Sequence, residues 1–314
     1  MSLIGKLQPV IIIAAALLGL LLGAVTTLDP ASSGLIEVFL MMLLYILFLS
    51  VDLKQIGKSF TNVRFTLTAV VINFVFTPLF GYLLGKVFFP GDLDIRIGLL
   101  MLLVTPCTDW YLVFPGLSKG NVELGMSILP LNLILQILLL PVYLLVLIGS
   151  EVTMDVASLL GSVVTVLVIP FALACITKTV TKSRRKFKHF LSAQGDNLQL
   201  LFLCLAVVAM FASEGKSLVD NPILLVRMFV PLLVFFGVLF FVSQLAGRML
   251  KFPKKDIVAL NMITLARNSP LSLAIAVATF PDQPLIALAL VIGPLIELPV
   301  LSVISWILKK WNTE

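Results

Sequence analysis

Seven side chains in an otherwise oily sequence have the types and the spacing to do chemistry. The stretch VTPCTDWYLVFPGL, 104–117, sets Cys107, Asp109 and Trp110 just after Pro106. ARNSP, 266–270, sets Arg267 and Asn268 just before Pro270. Asn132 stands in LPLNLILQ and Glu297 in GPLIELPV, each in the apolar run that follows one of those interruptions.

The Cys107 thiol is a soft ligand and suits a soft solute. Cys175 and Cys204 lie in ordinary apolar context, where a free cysteine packs as a small hydrophobe. Of the 16 acidic residues, nearly all fall in loops or near the ends of apolar runs; Asp109 and Glu297 are the exceptions. A carboxylate within a membrane span is costly and faces a partner or a pathway. Glu297 has no basic neighbour in its own run. It is a candidate proton carrier, or else a buried acid bonded to freed backbone. Asp109 and Arg267 carry opposite charges and could pair where the two interruptions meet, either for transport or to hold the crossing. Asn132 and Asn268 are placed to orient a solute or to cap freed backbone groups.

Other chemistries find little support. Three cysteines are too few for a disulfide framework. No His/Cys cluster has metal-site spacing, and no GxxxxGK[ST] loop suggests ATP hydrolysis. No paired acids or Ser-His arrangement stand near a span end. The expectation is a carrier and not an enzyme, with no cofactor and no metal.

The elements that must position these residues are transmembrane helices. The chain has 314 residues, 60% hydrophobic and 12% charged, with a mean hydropathy of +1.14. A soluble domain is about 45–50% apolar and about 25% charged. Most of this surface must therefore face lipid, where roughly 20 apolar helical residues cross the core. Ten such segments are expected, near 8–26, 33–51, 66–86, 97–117, 124–148, 155–177, 197–213, 222–247, 256–280 and 284–308. With the N-terminal side taken as inside, seventeen basic residues fall in inside loops and three outside. That is the positive-inside pattern, with both termini cytoplasmic in the cell's inner (plasma) membrane. The run KSRRKFKHF, 182–190, reads as cytoplasmic loop charge facing anionic lipid and not as a nucleic-acid patch. The start of the chain reads as a retained first helix, not a signal peptide.

The outer loop near residue 150 divides the chain into two five-helix repeats, 1–150 and 151–314. Five is odd, so the second half enters the membrane inverted. Pro106 and Pro270 lie 164 residues apart, and the same offset carries Glu297 to position 133, between Asn132 and Gln136. Each half thus offers an interrupted helix followed by a helix with an inward polar residue. A proline removes a helical hydrogen bond. In lipid such a break must face protein or a cavity. Pro141, Pro170, Pro231 and Pro299 read as simple kinks in packed helices.

PCTDWYLVFPGLSKGN, 106–121, resembles the fourth-span signature of the arsenite permeases within the bile acid:sodium symporter superfamily. RNSPLSLAIAVATF, 267–280, and VIGPLIELPVLSVI, 291–304, resemble the paired spans near the end of the same superfamily. The resemblance implies an all-α polytopic membrane protein of ten helices in two inverted repeats, with helices four and nine broken and crossing. Spans one, two, six and seven would form a panel and the rest a core, with alternating access between them. It links Cys107 and Glu297 to transport, the thiol holding arsenite transiently and the carboxyl exchanging a proton: arsenite out, proton in. In the sodium-coupled branch a glutamate and a glutamine precede the asparagine matched by Asn268; here Ile263 and Arg267 stand there. Neither can coordinate sodium, though Arg267 could supply a fixed positive charge instead. Asp109 and Trp110 stand where arsenite permeases show smaller, uncharged residues. An organic anion is therefore the alternative solute, with sodium coupling through a non-standard site.

Overall fold

A computed structural model describes residues 3–25, 33–50, 61–108, 113–149, 161, 168–181, 185–220 and 222–313. The described chain is helical: α1 (Leu3–Val25), α2 (Ser33–Ser50), α3 (Val63–Phe88), α4 (Leu93–Val104), α5 (Val113–Leu117), α6 (Val122–Ile148), α7 (Ile169–Val180), α8 (Arg185–Asp220), α9 (Pro222–Met249), α10 (Lys254–Leu265), α11 (Ser269–Thr279) and α12 (Pro284–Thr313). Among the described residues, four helical segments are long and apolar enough to cross a membrane: Val63–Phe88, Val122–Ile148, Val226–Met249 and Pro284–Trp311. Shorter apolar helices accompany them at Ala14–Gly23, Val38–Leu49, Ile169–Val180, Asn197–Ala209 and Ser269–Thr279. The protein is an all-α, polytopic membrane protein. Most of the span expected at 155–177 lies outside the described residues, which begin there continuously at 168.

The helices explain themselves locally. Along α3, Leu67, Val71, Val75, Leu79 and Leu83 are exposed at every fourth position, while Phe65, Ala69, Ile72, Asn73, Thr77, Gly81 and Leu84 are buried. An outward stripe that stays apolar is a lipid-facing stripe. α3 and α6 each contain one π-turn, at Ile72–Phe76 and Leu144–Ile148. Such turns shift the register of the residues they carry. Pro141 lies within α6 shortly before its π-turn, Pro231 within α9, and Pro299 within α12. Pro170 instead occupies the first turn of α7, where its missing N–H costs little.

Two compact units are present. The first comprises Met1–Val51, Met154–Leu225 and Pro270–Val291. Its helix α8 packs on α1 and α2, and α7 packs on α2. The seam between α1 and α8 depends on GLLLG, 19–23: a Cβ on Gly19 would lie 2.6 Å from the Val208 carbonyl oxygen, and one on Gly23 2.6 Å from that of Ala212. Small residues four apart let two backbones touch, which is how helices associate in lipid without a hydrophobic driving force. Tyr45 and Thr177 share a hydroxyl hydrogen bond of 2.9 Å, and Phe48 meets Phe171 edge-on. The spans expected as a panel contribute to this unit, which also takes Pro270–Val291.

The second unit comprises Asp52–Thr153, Val226–Ser269 and Ile292–Glu314. Here α10 packs on α3, α5 and α6, and α4 packs on α3 and α6. Leu102 of α4 fills the space over Gly293 of α12, where a Cβ would come within 2.7 Å. Asn121 ties two helix starts together. Its side chain accepts the Leu124 N–H and donates to Asp256, 2.8 Å, while its backbone N–H reaches the Lys255 carbonyl. Ser118 and Ser305 share a buried hydroxyl bond of 2.6 Å. These ties fix α4, α6 and α10 around the place where two of the helices stop short.

Candidate functional site at the crossing of two interrupted helices

α4 ends at Val104 because Thr105 precedes Pro106, and a residue before proline is pushed out of the helical region. Thr105 is extended, at φ −108° and ψ 97°. α10 ends at Leu265, and Ala266 is likewise extended, at φ −72° and ψ 137°. The two extended pieces pair antiparallel, Pro106 opposite Arg267. The Cys107 N–H donates to the Ala266 carbonyl at 2.9 Å, and the Asn268 N–H to the Thr105 carbonyl at 2.7 Å. Pro106 and Arg267 thus form a non-hydrogen-bonded pair, so the proline forfeits no ladder bond. Backbone freed from each helix is satisfied by the other, as lipid demands. In the ninth span the interruption precedes its proline: Pro270 sits in the first turn of α11, where proline is tolerated.

Arg267 is 1% exposed. All three guanidinium nitrogens donate to protein oxygens: Nε to the Leu265 carbonyl at 3.2 Å, Nη1 to the Leu103 carbonyl at 2.8 Å, and Nη2 to the Thr264 carbonyl and to Asn73 Oδ1, the latter at 3.3 Å. The guanidinium also lies over the Phe235 ring, 5.1 Å from its centre. Asn73 reaches this place from the π-turn of α3, its amide also donating to the Ile263 carbonyl at 3.4 Å.

Glu297 is 1% exposed and accepts the Arg267 backbone N–H at 2.8 Å. It therefore meets the interrupted helix through a donor. Cys107, which forms no disulfide, is also 1% exposed and sits one residue from the paired proline. Asn268 donates its amide to Thr108 at 3.0 Å, and the Thr105 hydroxyl turns back on the Met101 and Leu102 carbonyls. Asp109 and Trp110 lie outside the described residues, and with them the Asp109–Arg267 pairing.

Asn132 and Gln136 differ from all of these. They lie one turn apart on one face of α6, both fully buried. Among the described residues, neither amide atom of either side chain has a hydrogen-bond partner. Buried polar groups are nearly always paired, and an orphaned one points to a ligand, an ion or water. Depth agrees with this. α4 and α10 each run 12 residues before stopping, about 18 Å at 1.5 Å per residue. Asn132 is the eleventh residue of its helix, about 16 Å along it. The hydrocarbon core is about 30 Å thick, so each of these lengths corresponds to roughly half a crossing.

The structure therefore brings Cys107, Arg267, Asn268 and Glu297 to one crossing, with Asn132 in the same unit. Sequence reasoning missed Asn73, whose signal was a lone amide in the apolar run VVINFVF. It also missed Thr264, whose hydroxyl meets Ser243 at 2.7 Å.

The family model described as Sodium Bile acid symporter family matches residues 37–221. The Arsenical-resistance protein Acr3 of Corynebacterium glutamicum is 25% identical over 322 residues, covering 96% of this chain and 87% of that protein. The Uncharacterized protein YbaS of Bacillus subtilis is 27% identical over 268 residues, covering 85% and 86%. The Uncharacterized transporter slr0944 of Synechocystis sp. is 26% identical over 331 residues, covering 96% and 85%.

Proposed function

Because the chain belongs to the sodium bile acid symporter family, and so is a secondary-active, ion-coupled membrane transporter, we propose that it carries an organic anion by alternating access, with the solute held at mid-membrane beside the crossing. The observation that carries this reading is the pair of buried amides Asn132 and Gln136, which have no hydrogen-bond partner among the described residues. Their NH2 groups suit the oxygens of a carboxylate or sulfonate, and their carbonyl oxygens suit a cation. A coupling cation bound there would occupy a non-standard site. Arg267 takes no part in attracting the anion, because its nitrogens already face protein oxygens. The two inverted halves, 1–150 and 151–314, supply one interrupted helix each, and both termini face the cytoplasm of a plasma-membrane protein.

A second reading, arsenite efflux in exchange for protons, rests on the buried Cys107 thiol and the Glu297 carboxylate meeting the same crossing. One thiol holds arsenite and releases it, and the carboxylate takes up the counter-moving proton. The names of relatives such as the Acr3 protein of Corynebacterium glutamicum favour this reading.

Flux of taurocholate and of arsenite into proteoliposomes, under an imposed sodium or pH gradient, tests both. Gradient-driven taurocholate entry, lost in Asn132→Ala, supports the organic-anion reading. Arsenite movement driven by pH and lost in Cys107→Ser and Glu297→Gln replaces it with the second. Correctly inserted protein that moves neither solute under either gradient contradicts both.

A further inference from the structure

The acceptors around Arg267 form a cage that suits a cation. Leu103 belongs to the last turn of α4, and Thr264 and Leu265 to the last turn of α10. Their carbonyls are among those a helix leaves unpaired at its C-terminal end. Each helix C-terminus carries about half a negative elementary charge. Two such ends meeting in the membrane sum to about one negative charge, which a single cation neutralises. Backbone carbonyls gathered this way are the ligand set with which membrane proteins strip water from alkali ions. Asn73 Oδ1 adds a further oxygen from α3, and the Phe235 face closes the remaining side.

We propose that Arg267 is a tethered cation: its guanidinium permanently fills a carbonyl cage, built by the ends of α4 and α10 with Asn73, that would otherwise bind a free monovalent cation. Because the charge is covalently attached, the cage stays occupied throughout the transport cycle. Its role is to hold the two helix ends together, and the ion that couples transport must act elsewhere. A guanidinium is planar and spreads its donors over three nitrogens, which matches acceptors arriving from three helices. A lysine would offer a compact point charge with fewer directions.

The inference stands on the cage alone, so its test needs no knowledge of the solute. Thermal unfolding of the purified protein is followed in millimolar guanidinium chloride, sodium chloride or choline chloride at constant ionic strength. Arg267→Ala is expected to lower the midpoint by about 5–10 °C. Guanidinium should restore it in a saturable way, sodium partly, and choline not at all. The wild type should not respond, and Arg267→Lys should lie above Arg267→Gln. An Arg267→Ala protein as stable as the wild type overturns the proposal. So does a loss that neither guanidinium nor sodium reverses. If Arg267→Ala cannot be purified, the other two variants decide: Arg267→Gln equal to or more stable than Arg267→Lys shows that charge is not what the cage requires.

Discussion

The α1–α8 seam of the first unit and the α4–α10 crossing of the second both bring two backbones into contact, by opposite means. At the seam Gly19 and Gly23 remove side chains, so that main-chain atoms of α8 fit against α1. At the crossing the helices stop, and their extended ends exchange hydrogen bonds. The seam is close dispersion packing of two backbones. The crossing leaves helix-end charges and polar side chains that need partners, and the described residues supply some of these but not all. Arg267 meets the carbonyls and Glu297 meets an N–H, whereas Asn132 and Gln136 on the neighbouring α6 find no hydrogen-bond partner among the described residues. Shape holds one region together; the other is specified by charge and hydrogen bonding, and that is where a solute can take part.

Substitutions at the two regions should therefore differ in kind. The largest effect is expected for Gly19→Leu, because main chain 2.6 Å from the new Cβ cannot yield as a side chain would. Overpacking costs about 1–3 kcal/mol or more, and a sharply lower unfolding midpoint with no response to any solute checks it. Asn268→Leu removes the amide bonded to Thr108 but keeps the main-chain bond to Thr105. A loss of about 1 kcal/mol is expected, within the range for interhelical bonds in membranes. Its flux should fall more than its stability, since the crossing is distorted but intact. The smallest effect belongs to Ser118 and Ser305, whose hydroxyls pair away from the crossing. A double-substitution cycle to alanine should give a coupling of about 0.6 kcal/mol, with transport unchanged. Transport lost on that change would blur the contrast.

Much of this contrast is legible in the sequence. Pro106 announces the end of α4, because the residue before a proline leaves the helical region. The polar run at 267–269 announces the other interruption. Cys107, Arg267, Asn268 and Glu297 stood out because polar groups are rare in lipid. Their pairings could not be read. Whether Arg267 faces Asn73 depends on a π-turn in α3 that shifts the register, and nothing in INFVF declares it. The position of the second break was legible only to within a turn, since Pro270 fits inside the first turn of a helix as well as at a break. The GLLLG seam carries its signal openly in the first apolar run, as two glycines four apart.

The double variant Asn132→Leu/Gln136→Leu, measured for both stability and gradient-driven flux, tests the central claim most directly. An unpaired buried polar group costs about 1–3 kcal/mol, so replacing two of them with hydrocarbon should raise the unfolding midpoint. If those amides exist for the solute, flux should vanish in the same protein. A variant that is more stable and transports nothing is the predicted result. One that is less stable, or that carries solute at the wild-type rate, would contradict the account.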